Sequence, residues 1–183
     1  MGRIELMATV KVESSAAPVE SVEADTFVEA MRVQATAVNL VTSDGAAGRT
    51  GVTVSAMTSV SAEPPLILAC VNRRSPSVAI IRQNGVFCIN ALSAEQKELA
   101  NTFAGRPSSG QPFDFSAAEW TRLTTSAPAL IDAVANLDCV IHDIVEAGSH
   151  TIFIGRVVGA AHRNVKPLVY CDRTYLAPAP LIG

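Results

Sequence analysis

Short apolar runs separated by turn-forming residues dominate this chain, and most runs have the length of a β-strand rather than a helix. The strand-like runs are Ala37–Ser43, Thr53–Val60, Leu66–Val71, Val86–Asn90, Ala135–Val145, Thr151–Ala160 and Leu168–Tyr170. Turn signals mark the connections at Asp44–Gly48, Asn84-Gly85 and Gly148–His150. Because such short turns join neighbouring strands as hairpins, the pattern predicts an antiparallel sheet.

Three short helices are predicted beside these strands. Each begins at a side chain suited to capping, and the segments are Thr26–Val33 after Asp25, Ser77–Arg82 after Ser75-Pro76, and Ala94–Phe103 after Ser93. Gln96 completes a capping box with Ser93, and Gly105 is the predicted stop of the third helix. The segment 106–118 is rich in Pro, Ser and Gly, which predicts a surface loop.

The order of the elements determines the predicted fold class. The sequence lacks the strand–helix–strand alternation of a parallel sheet, and no Gly-x-Gly-x-x-Gly motif follows a strand. We therefore predict a mainly β protein, a closed antiparallel barrel with a few short peripheral helices. Residues 1–22 are predicted to form a flexible N-terminal tail, and residues 23–183 one domain.

Composition excludes several classes of function. The 183 residues carry a net charge of −3 and are 49% hydrophobic, which suits one well-packed domain and offers no basic surface for nucleic acid. Every apolar run is too short to span a membrane, and the N-terminus has no signal-peptide core, so cytoplasmic location is expected. Cys70, Cys88, Cys139 and Cys171 lack the spacing of metal ligands, so no metal is predicted.

The segment 51–77 carries the clearest chemical signal. Its first half is rich in hydroxyl groups, and its second half is the apolar strand Leu66–Val71, which ends at Asn72. Arg73 and Arg74 then precede the helix start at Ser75, where free backbone N–H groups and the helix dipole favour an anion. This arrangement predicts a phosphate site, although serine-rich strands followed by capped helices also occur in proteins without ligands.

The order of these motifs resembles that of the short-chain flavin reductases, the reductase components of two-component flavin-dependent monooxygenases. The matching blocks lie within roughly residues 24 to 176 and are Gly51–Ser61, Pro64-Pro65, Asn72–Ser77, Phe87–Leu92, Phe103–Gly105 and Gly148–Val157. The resemblance implies a split β-barrel of the FMN-binding type, with the flavin in a groove at a homodimer interface. It also implies FMN or FAD as cofactor, NADH or NADPH as hydride donor, and a monooxygenase partner that receives reduced flavin.

The resemblance carries specific roles onto residues of this chain. Residues implied to lie along the isoalloxazine and ribityl chain are Ser55, Ala56, Met57 and Thr58, with Thr53 either beside them or facing the core. Residues implied to take the phosphate are Asn72, Arg73, Arg74, Ser75 and Ser77. Phe103, Gly105 and Arg106 are implied to close over the outer part of the cofactor.

Two positions depart from the family pattern on the donor side. The family usually has Gly-Asp-His where this chain has Gly148-Ser149-His150, and His150 is the implied catalytic residue beside the nicotinamide. Cys171 stands where family members often have a histidine. The implied donor contacts are His150, Cys171, Arg173 and Tyr175, while an ordinary turn histidine and a dimer-edge ion pair remain the alternatives.

These departures leave a second class of function open. A flavin- or haem-binding protein on the same barrel would bind its ligand without turnover, and related barrels also act as oxidases on a vitamin substrate. Steady NADH consumption that depends on added flavin would distinguish a reductase from both. The sequence does not separate FMN from FAD or NADH from NADPH.

Overall fold

A computed structural model describes residues 19–181, which form a mainly β protein as predicted. The strands are β1 (Thr36–Ala37), β2 (Asn39–Ser43), β3 (Thr50–Val54), β4 (Met57–Ala62), β5 (Pro65–Asn72), β6 (Val86–Ala91), β7 (Trp120–Thr121), β8 (Ala129–Leu130), β9 (Ala135–Ala147), β10 (His150–His162), β11 (Val169–Cys171) and β12 (Thr174–Leu176). The helices are α1 (Ala24–Arg32), α2 (Ser77–Asn84) and α3 (Lys97–Phe103). The predicted tail 1–22 lies outside the described residues except for 19–22.

Seven strands form one antiparallel sheet in the order β3-β2-β6-β9-β10-β5-β4. The two outer strands of this order, β3 and β4, follow each other in the chain and are joined by Ser55 and Ala56. The amide of Cys70 in β5 donates to the carbonyl of Ala56 at 2.9 Å. The sheet therefore curls back on itself toward closure, as a small antiparallel barrel does.

The hairpin of β9 and β10 is the longest element, with 13 residues in each strand. β10 also pairs with β5, so it lies inside the sheet with a neighbour on both sides. A Cβ added at Gly155 of β10 would lie 2.5 Å from the ring of Phe87, so a side chain at this position would displace that ring. Glycine here allows Phe87 and Phe153 to pack with ring centroids 6.3 Å apart.

Three clusters of buried apolar residues occur among residues 19–181, and the two larger ones lie on the two faces of β2. The first fills the barrel and includes Val41, Val71, Phe87 and Phe153. The second lies between the barrel and α3 and is made by Val38, Leu40, Leu92, Leu99, Phe103 and Leu130. Because β2 is covered on both faces, all five of its residues are buried, and its polar members Thr42 and Ser43 donate their hydroxyls to backbone carbonyls.

The helices begin and end close to their predicted positions. The amide of Ser93 donates to Gln96 Oε1 at 2.9 Å, so the predicted capping box is present, but the segment forms a 3₁₀ turn before α3 begins at Lys97. Gly105, just beyond α3, has φ +75°, a conformation that favours glycine. α2 begins at Ser77, two residues after Ser75, because Ser75 belongs to the preceding turn.

α1 buries none of its side chains and joins the rest of the molecule through charged groups. Arg32 Nε lies 3.0 Å from Asp172 Oδ1, and Arg173 Nη2 lies 3.7 Å from Glu29 Oε1. Both contacts are with the tight turn between β11 and β12. Within residues 19–181, no helix combines the length and the apolar character needed to cross a membrane.

Candidate functional site

The predicted phosphate segment forms a tight loop, Asn72–Ser77, between β5 and α2; we call it the Asn72 loop. Asn72 Oδ1 accepts from the amide of Arg74 at 2.9 Å, and the Asn72 carbonyl accepts from the amide of Ser75 at the same distance. Ser75 Oγ accepts from the amide of Ser77 at 3.3 Å. Short polar side chains bond readily to nearby backbone in this way, so the loop geometry follows from its own sequence.

The two arginines of the Asn72 loop have different surroundings. The guanidinium of Arg73 donates to the carbonyl of Gly148 at 3.2 Å and lies 3.4 Å from Glu146 Oε2, both in the β9–β10 hairpin. The Arg74 side chain is exposed and makes no ion pair or hydrogen bond within residues 19–181. Arg74 is therefore the cation of this loop that is free to meet an anion.

The hydroxyl of Ser77, which is predicted to take the phosphate, is engaged within the protein. Its side chain is buried, and its Oγ lies 2.7 Å from Oγ1 of Thr50 in β3. This bond ties the start of α2 to the sheet. The phosphate-binding part of the prediction therefore narrows to Asn72, Arg73, Arg74 and Ser75.

Glu146 lies at the centre of the charges around the loop, and sequence reasoning missed it. Its carboxylate is paired with Arg82 of α2 and with Arg73, and it accepts from the Thr151 hydroxyl at 3.0 Å. The hydrogen bond from Thr151, followed by the contacts with Arg82 and Arg73, holds the pKa of Glu146 below its ordinary value. The pairing of Thr151 with Glu146 across the predicted hairpin is the signal that identifies it.

His150 stands at the Asn72 loop rather than apart from it. It is the first residue of β10 and pairs directly with Asn72 at the end of β5. Its Nδ1 lies 2.9 Å from the hydroxyl of Ser149, so the serine that replaces the family's acid still contacts the imidazole. The structure thus brings a predicted donor residue next to the predicted phosphate residues.

A small cavity of about 160 Å³ lies at the C-terminal end of β3. It is lined by Val38, Thr53, Val54, Ser55, Ala104, Arg106, Tyr170 and Tyr175. The rings of Tyr170 and Tyr175 meet edge to face with centroids 5.2 Å apart, and they give the cavity an aromatic wall. Hydroxyl groups, one cation and flat rings in a small space suit a planar polar ligand.

Tyr175 is held in place by a residue that the sequence did not single out. Its hydroxyl donates to Asn101 Oδ1 of α3 at 3.1 Å. Burial, and then the neighbouring Tyr170, raise the pKa of Tyr175, so its phenol keeps its proton at neutral pH. Tyr175 therefore presents a neutral ring to the cavity.

Cys171 and Arg173, the other two predicted donor contacts, point to α1. Cys171 Sγ donates to the carbonyl of Val33 at 3.3 Å, and Arg173 pairs with Glu29. No hydrogen bond or ion pair within residues 19–181 joins either of them to His150. Both side chains serve the contact between α1 and the β11–β12 turn.

The predicted isoalloxazine segment follows the open end of the sheet. Ser55, Ala56 and Thr58 are exposed, and Met57 is half-buried against the barrel core. Thr53 faces inward and donates its hydroxyl to the carbonyl of Ala100 at 2.8 Å, so it links β3 to α3. The exposed part of this segment begins beside the small cavity, because its first residue, Ser55, also lines that cavity.

Phe103 is a core residue of the chain, and its position over the cofactor stays a prediction. Its ring is fully buried and packs edge to face on Phe115 and Trp120, at centroid distances of 4.9 and 6.0 Å. We call these three side chains the Phe103 cluster. A Cβ at Gly51 would lie 2.6 Å from this ring, so the glycine makes room for it. Gly105 and Arg106 remain exposed, and Arg106 lines the small cavity.

A larger open concavity of about 850 Å³ lies on another side of α3. Its charged lining residues are Glu95, Glu98, Glu119, Asp132, Arg163 and Lys166. None of the predicted site residues, all of which fall within residues 19–181, lines it. Over the same residues, no group of three or more His, Cys, Asp or Glu side chains is placed to hold a metal ion.

Comparison with known proteins identifies the family of this chain. The model of the flavin reductase like domain matches residues 31–178. The chain belongs to this family. The FMN reductase (NADH) RutF of Yersinia enterocolitica is 39% identical over 163 residues, which cover 88% of this chain and 88% of that relative.

Solved flavin reductases share the fold. BorF, the flavin reductase component of a bacterial two-component tryptophan halogenase, has a TM-score of 0.76 at 29% identity over 85% of this chain and 98% of that chain. The NADH:FAD oxidoreductase SgcE6 of Streptomyces globisporus C-1027, in complex with NAD and FAD fragments, has a TM-score of 0.75 at 31% identity over 88% of this chain and 98% of that chain. The predicted family and split-barrel fold are confirmed.

The residues of this flavin reductase like domain fit a flavin. The Asn72 loop supplies an exposed cation and a hydroxyl for a phosphate, and the exposed segment 55–58 supplies backbone and hydroxyl groups along an open strand. The cavity beside Ser55 adds aromatic and polar walls. Each feature suits a different part of an elongated ligand with an anionic end and a flat ring.

Proposed function

We propose that this protein is an NADH-dependent flavin reductase that reduces FMN and releases it to a separate monooxygenase component. The observation that carries the proposal is the geometry of the Asn72 loop. The free guanidinium of Arg74 belongs to this loop, and His150 of β10 pairs with Asn72 at the end of β5. The FMN reductase (NADH) relative and the reductase components of similar fold support the activity and both cofactors.

The parts of the site would divide the ligands between them. Asn72, Arg73, Arg74 and Ser75 would hold the phosphate, and the segment 55–58 would follow the flavin ring. The aromatic wall at Tyr175 and the imidazole of His150 would orient the nicotinamide donor. A bound flavin supplies the hydride-accepting ring, and the protein supplies orientation and exclusion of water.

A second copy of the chain would complete the site in this proposal. The apolar side chains of α1 and of Val33, which follows it, are uncovered in the single chain, with Phe27 56% and Val33 62% exposed, together with Val28 and Met31. An uncovered apolar face of this kind favours association. Sedimentation of the purified protein is expected to give a dimer, and a monomer at micromolar concentration would contradict this part of the proposal.

One observation favours a second candidate, a binding protein without turnover. The departures at Ser149 and Cys171 lie on the donor side, and Cys171 is engaged with α1 rather than with the cavity. Such a protein would bind flavin tightly and consume no NADH.

Cytoplasmic location remains a prediction from the sequence.

The deciding experiment measures NADH oxidation by the purified protein with and without added FMN. The loss of NADH absorbance monitors the reaction. FAD and NADPH serve as comparisons for cofactor preference. Turnover that requires added flavin is the expected result. Tight flavin binding with no NADH consumption would instead establish the binding protein.

A further inference from the structure

The carboxylate of Glu146 occupies the place next to the Asn72 loop where a ligand anion would find its cations. It lies near the end of β9, opposite Thr151 in the hairpin. One carboxylate oxygen is paired with Arg82, and the other lies 3.4 Å from Arg73 Nε and 3.0 Å from the Thr151 hydroxyl. Two of the three arginines around the loop therefore already have an anionic partner.

This pairing is open to exchange. The side chains of Glu146 and Arg73 are 43% and 58% exposed, so water reaches both members of the pair. Exposed ion pairs contribute only about 0.2–1 kcal/mol, and a phosphate offers a guanidinium the same oxygen geometry as a carboxylate. A ligand phosphate can thus compete with Glu146 for Arg73.

The carboxylate has two further contacts beside the loop. Thr151 is buried, and its hydroxyl holds one oxygen of Glu146, while Arg82 holds the other from α2. Glu146 therefore stays beside the loop when Arg73 turns to another anion. Its negative charge then opposes a second negative charge at short distance.

We propose that Glu146 is a specificity-determining residue that competes with the flavin phosphate for Arg73 and thereby keeps flavin binding weak and reversible. This inference rests on the proposed function, because it requires the phosphate to lie at the Asn72 loop. A reductase that hands its product to another protein needs a flavin that leaves readily. Glu146 supplies a displacing anion within the chain itself.

The test compares FMN with riboflavin, which has the same ring and no phosphate, by fluorescence titration of the purified protein. Glu146→Gln removes the charge and keeps the shape of the side chain. It is expected to tighten FMN binding about two- to fivefold, since an exposed pair of this kind is worth up to about 1 kcal/mol. Riboflavin binding is expected to stay unchanged.

Glu95→Gln is the matched control. It removes one negative charge from an exposed residue that lines the larger concavity rather than the loop. It is expected to change neither affinity, which excludes an effect of net charge alone. Weaker FMN binding in Glu146→Gln would show that Glu146 positions Arg73, and unchanged binding would show a bystander; either overturns the proposal, as does equal tightening of both flavins.

Arg74→Ala separates this inference from the proposed site on which it rests. If this variant weakens FMN but not riboflavin while Glu146→Gln has no effect, the phosphate site stands and only the role of Glu146 fails. If Arg74→Ala leaves the ratio of the two affinities unchanged, the phosphate does not lie at this loop. That result overturns both proposals.

Discussion

The Asn72 loop and Phe103 were both predicted to contact the cofactor, and the structure gives the loop and the Phe103 cluster opposite physical characters. The loop is exposed, charged and held by hydrogen bonds among its own residues and to the β9–β10 hairpin. The cluster is aromatic: Phe103 is fully buried, Phe115 and Trp120 are half-buried, and the three rings pack against one another. Neighbouring motifs of one family pattern can therefore have an exposed, charged environment in one place and form part of the packed framework in another.

The largest effect is expected from Phe103→Ala. Removing a fully buried ring leaves a cavity in the second core, and such changes lower the free energy of unfolding by about 3–5 kcal/mol. Urea unfolding followed by circular dichroism measures this change. Phe113→Ala, at an exposed phenylalanine of the neighbouring loop, is the control and is expected to cost less than about 1 kcal/mol. Weakened flavin binding without lost stability would place Phe103 in the site after all.

A second test probes the framework through its buried thiols. Burial, followed by the charge of Asp138, raises the pKa of Cys139 to about 12, and burial raises the pKa of Cys88 as well. Both thiols ionise near pH 8.5 once the chain unfolds, so the folded state holds more protons above that pH. Stability is therefore fully present below about pH 8.5 and is lost as the pH rises, by about 1.4 kcal/mol per pH unit for each thiol.

Urea unfolding at several alkaline pH values measures this loss. Cys139→Ala serves as the comparison, because the variant lacks one of the two titrating thiols. Its stability is expected to fall less steeply with pH than that of the original protein. Parallel pH profiles for the two proteins would show that Cys139 is not protonated and buried as the structure has it.

The exposed side of the comparison is tested by replacing both Arg73 and Arg74 with Ala. Charged hydrogen bonds to phosphate are worth about 1–3 kcal/mol, so FMN binding is expected to weaken by that amount while the unfolding midpoint stays the same. Isothermal titration with FMN and urea unfolding measure the two quantities. Unchanged FMN affinity would remove the phosphate from this loop.

The smallest effect is expected from His150→Ala. Loss of the imidazole is expected to raise the KM for NADH by a few fold, equivalent to about 1 kcal/mol, with little change in FMN affinity. Steady-state rates at varied NADH and a separate FMN titration measure the two effects. Since His150 pairs with Asn72, a loss of FMN binding would mean that the histidine serves the flavin rather than the donor.

Several elements follow from local sequence, and the structure has them as expected. The apolar runs form strands, the Ser93–Gln96 capping box is present, and the Asn72 loop closes through its own short polar side chains. Such features depend on hydrogen bonds between residues a few positions apart. The order of the motifs was also sufficient to predict the family.

The surroundings of other predicted site residues depend on contacts with residues distant in sequence. Ser77 is bonded to Thr50 of another strand, and Phe103 fills the space left by Gly51. The helix periodicity of 94–103 indicates that one face is apolar, but the side that faces a ligand depends on where α3 lies against β3.

Periodicity and local capping in the sequence were enough to predict the long strands, the three helices, two antiparallel hairpins and a cationic loop. Only the tertiary structure decided which arginine of that loop is free, since Glu146 reaches Arg73 from a different hairpin. It also decided that Tyr175 faces the small cavity while Arg173 faces α1. Charge and packing act through space, so neighbours in the fold rather than in the chain determine which polar groups remain available to a ligand.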